Sequence, residues 1–139
     1  WQHVLEPLSG YLTLGAQLGS IDNLNGEAYN FGPTSDQNYS VSQLINEMKK
    51  YWTNVSWLNT ANNRDIHTEA GLLKLNCDKA LFDLKWIPAL NFEETVKFTV
   101  DWYRVFYDEG DIDMHDFCVR QIKEYTKIAC DKKIWWATK

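Results

Sequence analysis

The chain has no glycine-rich turn of the G-x-G-x-x-G kind: its seven glycines, at 10, 15, 19, 26, 32, 71 and 110, are scattered. Such a turn, after a first strand, lets backbone N–H groups and a helix N-terminus hold a pyrophosphate. Its absence excludes a self-contained dinucleotide-binding domain in these residues. No Tyr stands four residues before a Lys, the spacing that sets phenol and ammonium on one helix face; Tyr125 and Lys127 are too close. G-x-S-x-G, H-E-x-x-H and the P-loop are missing too. The three cysteines (Cys77, Cys118, Cys130) form no C-x-x-C pair and no Cys/His cluster, so neither a zinc site nor a disulfide framework is indicated. A reducing cytoplasm is the compartment that fits. No apolar run reaches the ~18 residues of a membrane helix, and there is no signal peptide. The chain begins at Trp1, inside what reads as a strand, which suggests truncation or processing.

What is present is a composition of 45% hydrophobic and 24% charged residues in 139, enough for one domain with a core. Seven Trp, seven Tyr and six Phe exceed what packing alone requires, and large aromatics often line sugar or partner surfaces. A net charge of −5 argues against nucleic acid, whose backbone demands clustered Lys and Arg. The mildly basic tail, with Lys123, Lys127, Lys132, Lys133 and Lys139, reads as a solvated end.

Along the chain, Trp1–Leu5, Ala28–Phe31, Val55–Leu58 and Leu72–Leu75 read as short strands. Pro7 suits a first helical turn, and Leu8, Tyr11, Leu12, Leu14 and Leu18 give that helix an apolar face. Ser40 with Gln43, and Asn91 with Glu94, form capping boxes ahead of two further helices. The first carries Val41, Leu44, Ile45, Met48 and Trp52 at helical spacing; the second runs from Phe92 to near Asp108. Asn76 caps a short helix, Cys77–Leu84, and Phe117–Ile128 reads as a last amphipathic helix. The expected fold class is α+β: several helices packed on a small mixed sheet.

Three polar side chains precede the Leu72 strand. Arg64 has the forked geometry for a diphosphate. His67 and Glu69, two apart, point the same way on extended backbone. They read as a substrate-contacting pair or as a structural one; as a catalytic pair they lack a third partner or nucleophile. His3, among Trp1, Val4 and Leu5, reads as a packing histidine, and His115 as a surface or cap residue. The acidic set Asp108, Glu109, Asp111, Asp113 and Asp116 does not meet EF-hand spacing and reads as a solvated turn. Trp102, Tyr103, Phe106 and Tyr107 read as core rather than as a sugar platform. Trp135 and Trp136 are a candidate docking pair for a missing partner.

Several blocks resemble the extended short-chain dehydrogenase/reductases that act on nucleotide sugars. WQHVLE (Trp1 to Glu6) is similar to their late Trp/Phe-x-His/Tyr-Val-x-Asp/Glu motif, and WQHVLEPLSGYL to its form in the CDP-glucose 4,6-dehydratases. GEAYNFGP, EAGLLKLNCDKA, LKWIP, TVDWYR and DIDMHDFCVRQIKEY resemble later blocks, so the likeness runs to about Tyr125. Thr68, Gly71 and Leu72 depart from the family pattern, Asn76 stands for an Asp, and 129–139 has no counterpart.

The resemblance implies the C-terminal, substrate-binding part of an extended short-chain dehydrogenase/reductase fold, 1–139, without its NAD-binding Rossmann domain. It implies a parent lyase that turns CDP-glucose into CDP-4-keto-6-deoxyglucose, a precursor of bacterial surface-polysaccharide sugars, with NAD carrying the hydride. NAD would bind outside this chain, and the full-length parent would be a homodimer with no nucleic-acid or membrane partner. The residues expected to hold the nucleotide-diphosphate sugar are Arg64, His67 and Glu69, with no catalytic, cofactor or metal residue in this chain. The chain alone is expected to be inactive. The rivals are a sugar-binding or interaction module without catalysis, and the same portion of an enzyme using another nucleotide sugar.

Overall fold

The computed structural model describes residues 1–58, 74–110 and 112–138. Five α-helices carry the described fold: α1 (Leu5–Leu18), α2 (Val41–Tyr51), α3 (Asp78–Leu84), α4 (Phe92–Asp108) and α5 (Met114–Asp131). Short 3-10 turns lie at Asp22–Leu24 and Trp135–Ala137. The expected α+β arrangement is not found: the described residues hold helices and no strand.

The reason is that, among the described residues, none of the proposed strand segments meets a partner. A strand persists only where a neighbour takes its N–H and C=O groups in a ladder. Leu5 instead opens α1, and the residues before it are tied by side chains. The Trp1 indole N–H donates to the Tyr39 carbonyl at 3.0 Å, and the Gln2 amide donates to the Phe31 carbonyl at 3.2 Å. Asn30 likewise donates its side-chain N–H to the Asn76 carbonyl at 3.2 Å. After α2 the chain turns, with Val55 N–H on the Trp52 carbonyl, and Leu58 ends up 89% exposed. Leu72 lies outside the described residues, and Leu75 is irregular.

The capped helices form where local chemistry places them. The Ser40 hydroxyl accepts from Gln43 N–H at 3.3 Å while the Gln43 side chain accepts from Ser40 N–H at 2.8 Å. Asn91 and Glu94 close the same reciprocal box at 2.8 Å in each direction. Asp113 caps α5 by accepting from the N–H groups of His115 and Asp116, so the helix starts at Met114, and it runs on to Asp131, longer at both ends than the sequence reading. Asn76 takes the Asp78 N–H at 2.9 Å, so α3 begins one residue later than expected. It ends at Lys85, whose left-handed φ of 56° turns the chain and lets Trp86 N–H reach the Ala80 carbonyl.

Helix α4 is the centre. Its Phe92, Val96 and Val100 pack against Leu44, Met48 and Tyr51 of α2. Phe98 joins Leu90, Tyr125, Ala129 and Ile134 between α4 and α5. A third cluster, Leu24, Phe31, Ala80, Leu84 and Trp86, sits under α1 and α3. Trp136 packs against both of the latter two.

Helix α1 faces the opposite way from its sequence reading. Leu14 is partly buried, but Leu8, Tyr11, Leu12 and Leu18 are 44%, 60%, 76% and 44% exposed. The side turned inward is Glu6, Ser9, Gly10 and Thr13. These small and polar residues permit a close approach. A Cβ at Gly10 would stand 2.3 Å from the Phe31 ring, so only glycine admits that ring here.

Candidate functional site

The three residues expected to contact substrate, Arg64, His67 and Glu69, lie in 59–73, outside the described residues. What the structure defines is the frame at either end of that stretch. On one side α2 ends at Trp52, whose indole N–H donates to Asp108 at 2.8 Å. On the other, the Lys74 ammonium donates to the Ser35 carbonyl at 2.6 Å. Gly32 packs so tightly against Leu75 and Cys77 that an added Cβ would meet them at 3.2 and 3.4 Å. The exit of the stretch is therefore fastened to residues 30–35. Beyond it, the Tyr29 hydroxyl donates to Asp83 at 2.8 Å, and Lys79 pairs with Glu27 and lies over the Tyr29 ring. Loss of solvation, then the Asp83 carboxylate, pushes the Tyr29 phenol up to about 12.

A second set of polar groups is buried at a place the sequence reading does not single out. The Glu6 side chain is 1% exposed. Its carboxylate accepts from Ala89 N–H at 3.0 Å, from Leu90 N–H at 2.6 Å and from the Tyr125 hydroxyl at 3.0 Å. Ser9 completes the group: its hydroxyl accepts from the Trp86 indole at 2.9 Å and donates to the Glu6 carbonyl at 2.7 Å. Burial pushes the Glu6 carboxyl above its ordinary value, against the pull of the Leu90 and Ala89 N–H groups, Tyr125 and Lys132. Burial first, then Glu6, raises the Tyr125 phenol strongly. Every bond on Glu6 leads to backbone or to a hydroxyl held by the fold, so this is a clamp joining α1 to the start of α4. The one signal in the sequence is a lone carboxylate followed by Pro7 in an otherwise uncharged helix.

Two open hollows adjoin this clamp. One, about 650 Å³, runs between α1 and α5, with Leu8, Leu12, Ala16, Ile122 and Trp135 among its walls. The other, about 440 Å³, is lined by His3, Val4, Trp102, Tyr103, Cys118 and Gln121 among others. Leu5 and Ile122 line both, so the two are neighbours. Neither wall includes an Asp, Glu, Lys or Arg. His3 is buried, edge-on to Phe98, and accepts from Leu5 N–H through Nδ1; burial lowers its pKa and keeps it neutral.

The remaining sequence candidates fall as follows. His115 is on the surface beside Asp116. Trp102, Tyr103, Phe106 and Tyr107 are not core as expected: Tyr103, Phe106 and Tyr107 are 45%, 49% and 67% exposed, stacked along α4. Of the terminal pair, Trp136 is docked inside this chain, stacked on Tyr125 and donating to the Ile87 carbonyl at 3.2 Å. The basic tail is not simply solvated, since Lys132 donates to the Ala89 carbonyl and to Glu94. Among the described residues no group of three His, Cys, Asp or Glu side chains is placed to hold a metal, and no helix is long and apolar enough to cross a membrane.

No family model matches the chain. It is 36% identical over 126 residues to the CDP-glucose 4,6-dehydratase of Salmonella typhimurium. The match covers 90% of this chain and 34% of that enzyme, so the chain spans about a third of the length of the curated relative it matches. The resemblance read from WQHVLEPLSGYL and the blocks after it is thus met by an alignment over most of the chain to a dehydratase of the CDP-glucose branch.

Proposed function

We propose that this chain is the nucleotide-sugar-holding portion of a CDP-glucose 4,6-dehydratase, a lyase acting in the cytoplasm. The observation that carries the reading is the 36% identity sustained over 90% of the chain. Arg64 would pair with the diphosphate through its planar fork, and His67 and Glu69 would hydrogen-bond the glycosyl hydroxyls. The frame around 59–73 supports this role, because Lys74 and Asn76 are fastened to residues 30–35 and fix where the stretch leaves the fold.

NAD is the cofactor of the reaction we propose for the whole enzyme. The residues here do not fit it: there is no glycine-rich turn to admit a pyrophosphate, and the described residues hold no strand to present one. No chemical step is therefore assigned to this chain. It binds and orients the nucleotide sugar, and alone it forms no 4-keto product.

Calorimetric titration of the chain with CDP-, dTDP-, GDP- and UDP-glucose tests the reading. CDP-glucose should bind, and Arg64→Ala should weaken it by on the order of tenfold, the loss of one charged hydrogen-bonded contact. Binding of none of the four, or binding indifferent to Arg64→Ala, contradicts it.

A further inference from the structure

The outer face of α1 is built for contact with protein rather than water. Among its 14 residues α1 has no Lys or Arg, and its one acid, Glu6, is turned inward. A surface helix ordinarily carries charge on its solvent side, and a helix apolar on its outer side belongs in an interior. Leu8 and Leu12 instead stand open over the hollow between α1 and α5, and Tyr11, 60% exposed, stands beside them with its ring edge-on to Phe31.

The second hollow shares Leu5 and Ile122 with this one, so an uncharged surface runs beside α1 from Val4 to Ala16. At 1.5 Å per residue that is about 18 Å. A sugar or nucleotide fills a compact pocket and, if phosphorylated, meets a cation; this surface is long, open and without one. Contiguous apolar surface of that kind marks a protein interface.

We infer that α1 is an interior helix of a larger enzyme. Its Leu8–Tyr11–Leu12 face seats an apolar surface from the two thirds of the dehydratase fold that this chain does not span. The inference rests on the proposed function, and the 34% coverage of the relative supplies the occupant: the remaining length is polypeptide of the same enzyme.

Hydroxyl-radical footprinting tests it without mutation. The chain is compared alone and joined, as one polypeptide, to the part of the Salmonella enzyme outside the match. Tyr11 is 60% exposed in this chain; an interface core exposes roughly a tenth or less, so its oxidation should fall about sixfold in the joined protein. Leu12 should follow, while Phe82, 78% exposed on α3, should react equally in both. As a second measurement, Leu12→Asp should restore Tyr11 oxidation in the joined protein and leave the helicity of the chain alone unchanged. Equal oxidation of Tyr11 in both forms overturns the inference, whether the joined protein folds with α1 outside or fails to fold. Protection of Tyr11 in the chain alone, lost on dilution, overturns it in favour of a second copy. The nucleotide-sugar titration needs no joined protein, so failure of the docking surface and failure of the functional reading are separable.

Discussion

Helices α1 and α4 are of similar length and opposite construction. α4 opens on a reciprocal capping box, buries Phe92, Val96, Phe98 and Val100, and sets Lys97 against Asp101 at 2.6 Å on its wet side. α1 has no side-chain cap, buries Glu6, Ser9, Gly10 and Thr13, and shows Leu8, Leu12 and Leu18 to solvent. The difference separates two ways of holding a helix. α4 is held by apolar area, as surface helices are. α1 is held by a few specific hydrogen bonds and one tight approach, which leaves its apolar side for another surface.

The comparison is broken most severely at the clamp. Glu6→Ala strands two buried backbone N–H groups and leaves the Tyr125 hydroxyl only its Ser9 partner, and unsatisfied buried donors cost ~1–3 kcal/mol each. A net loss of about 3 kcal/mol in urea unfolding is expected. Gly10→Ala comes next. It gains helix propensity but drives a methyl into the buried Phe31 ring, and overpacking of that kind costs about 1–3 kcal/mol. A stability equal to or above that of the parent would show that the Phe31 ring yields freely. On the α4 side, Asn91→Ala removes the cap and should cost about 1 kcal/mol, read as a lower melting temperature with the core untouched.

The smallest effect is a pH dependence. The folded-state pKa of Glu6 lies above its ordinary 4.5, so between those values the folded protein binds more protons than the unfolded. The stability this group contributes is therefore fully present below pH 4.5 and is lost as pH rises through the folded value. Glu6→Gln abolishes that titration. Relative to the variant, the parent should gain stability on acidification toward 4.5; a gap between the two that does not change with pH contradicts the raised carboxyl.

The same contrast explains what could be read beforehand. Both capping boxes and the bounds of α4 come from neighbours a few residues apart and stand as expected; of the stripe on α2, Leu44, Met48 and Trp52 pack toward α4, while Val41 is 58% exposed. The stripe on α1 was visible too, but periodicity finds an apolar face without saying which side the core will occupy. That was decided by Glu6 bonding residues 89, 90 and 125, and by Gly10 meeting Phe31, contacts no local pattern encodes. The strands expected at Trp1–Leu5, Ala28–Phe31 and Val55–Leu58 fail for the same reason: β-propensity is present, and pairing partners among the described residues are not. Of the candidate site, Arg64, His67 and Glu69 lie outside the described residues, whereas the anchoring of Lys74 and Asn76 on either side of Leu75 became visible only in three dimensions.

Urea unfolding of the chain carrying Leu12→Asp, beside Glu6→Ala, puts the two faces of α1 in direct competition. Leu12 is 76% exposed, and an exposed substitution of this kind moves stability by no more than about 0.5 kcal/mol. Leu12→Asp should leave the unfolding midpoint in place, while Glu6→Ala should lower it sharply. A midpoint that collapses with Leu12→Asp and holds with Glu6→Ala would mean that α1 is seated by its leucines after all.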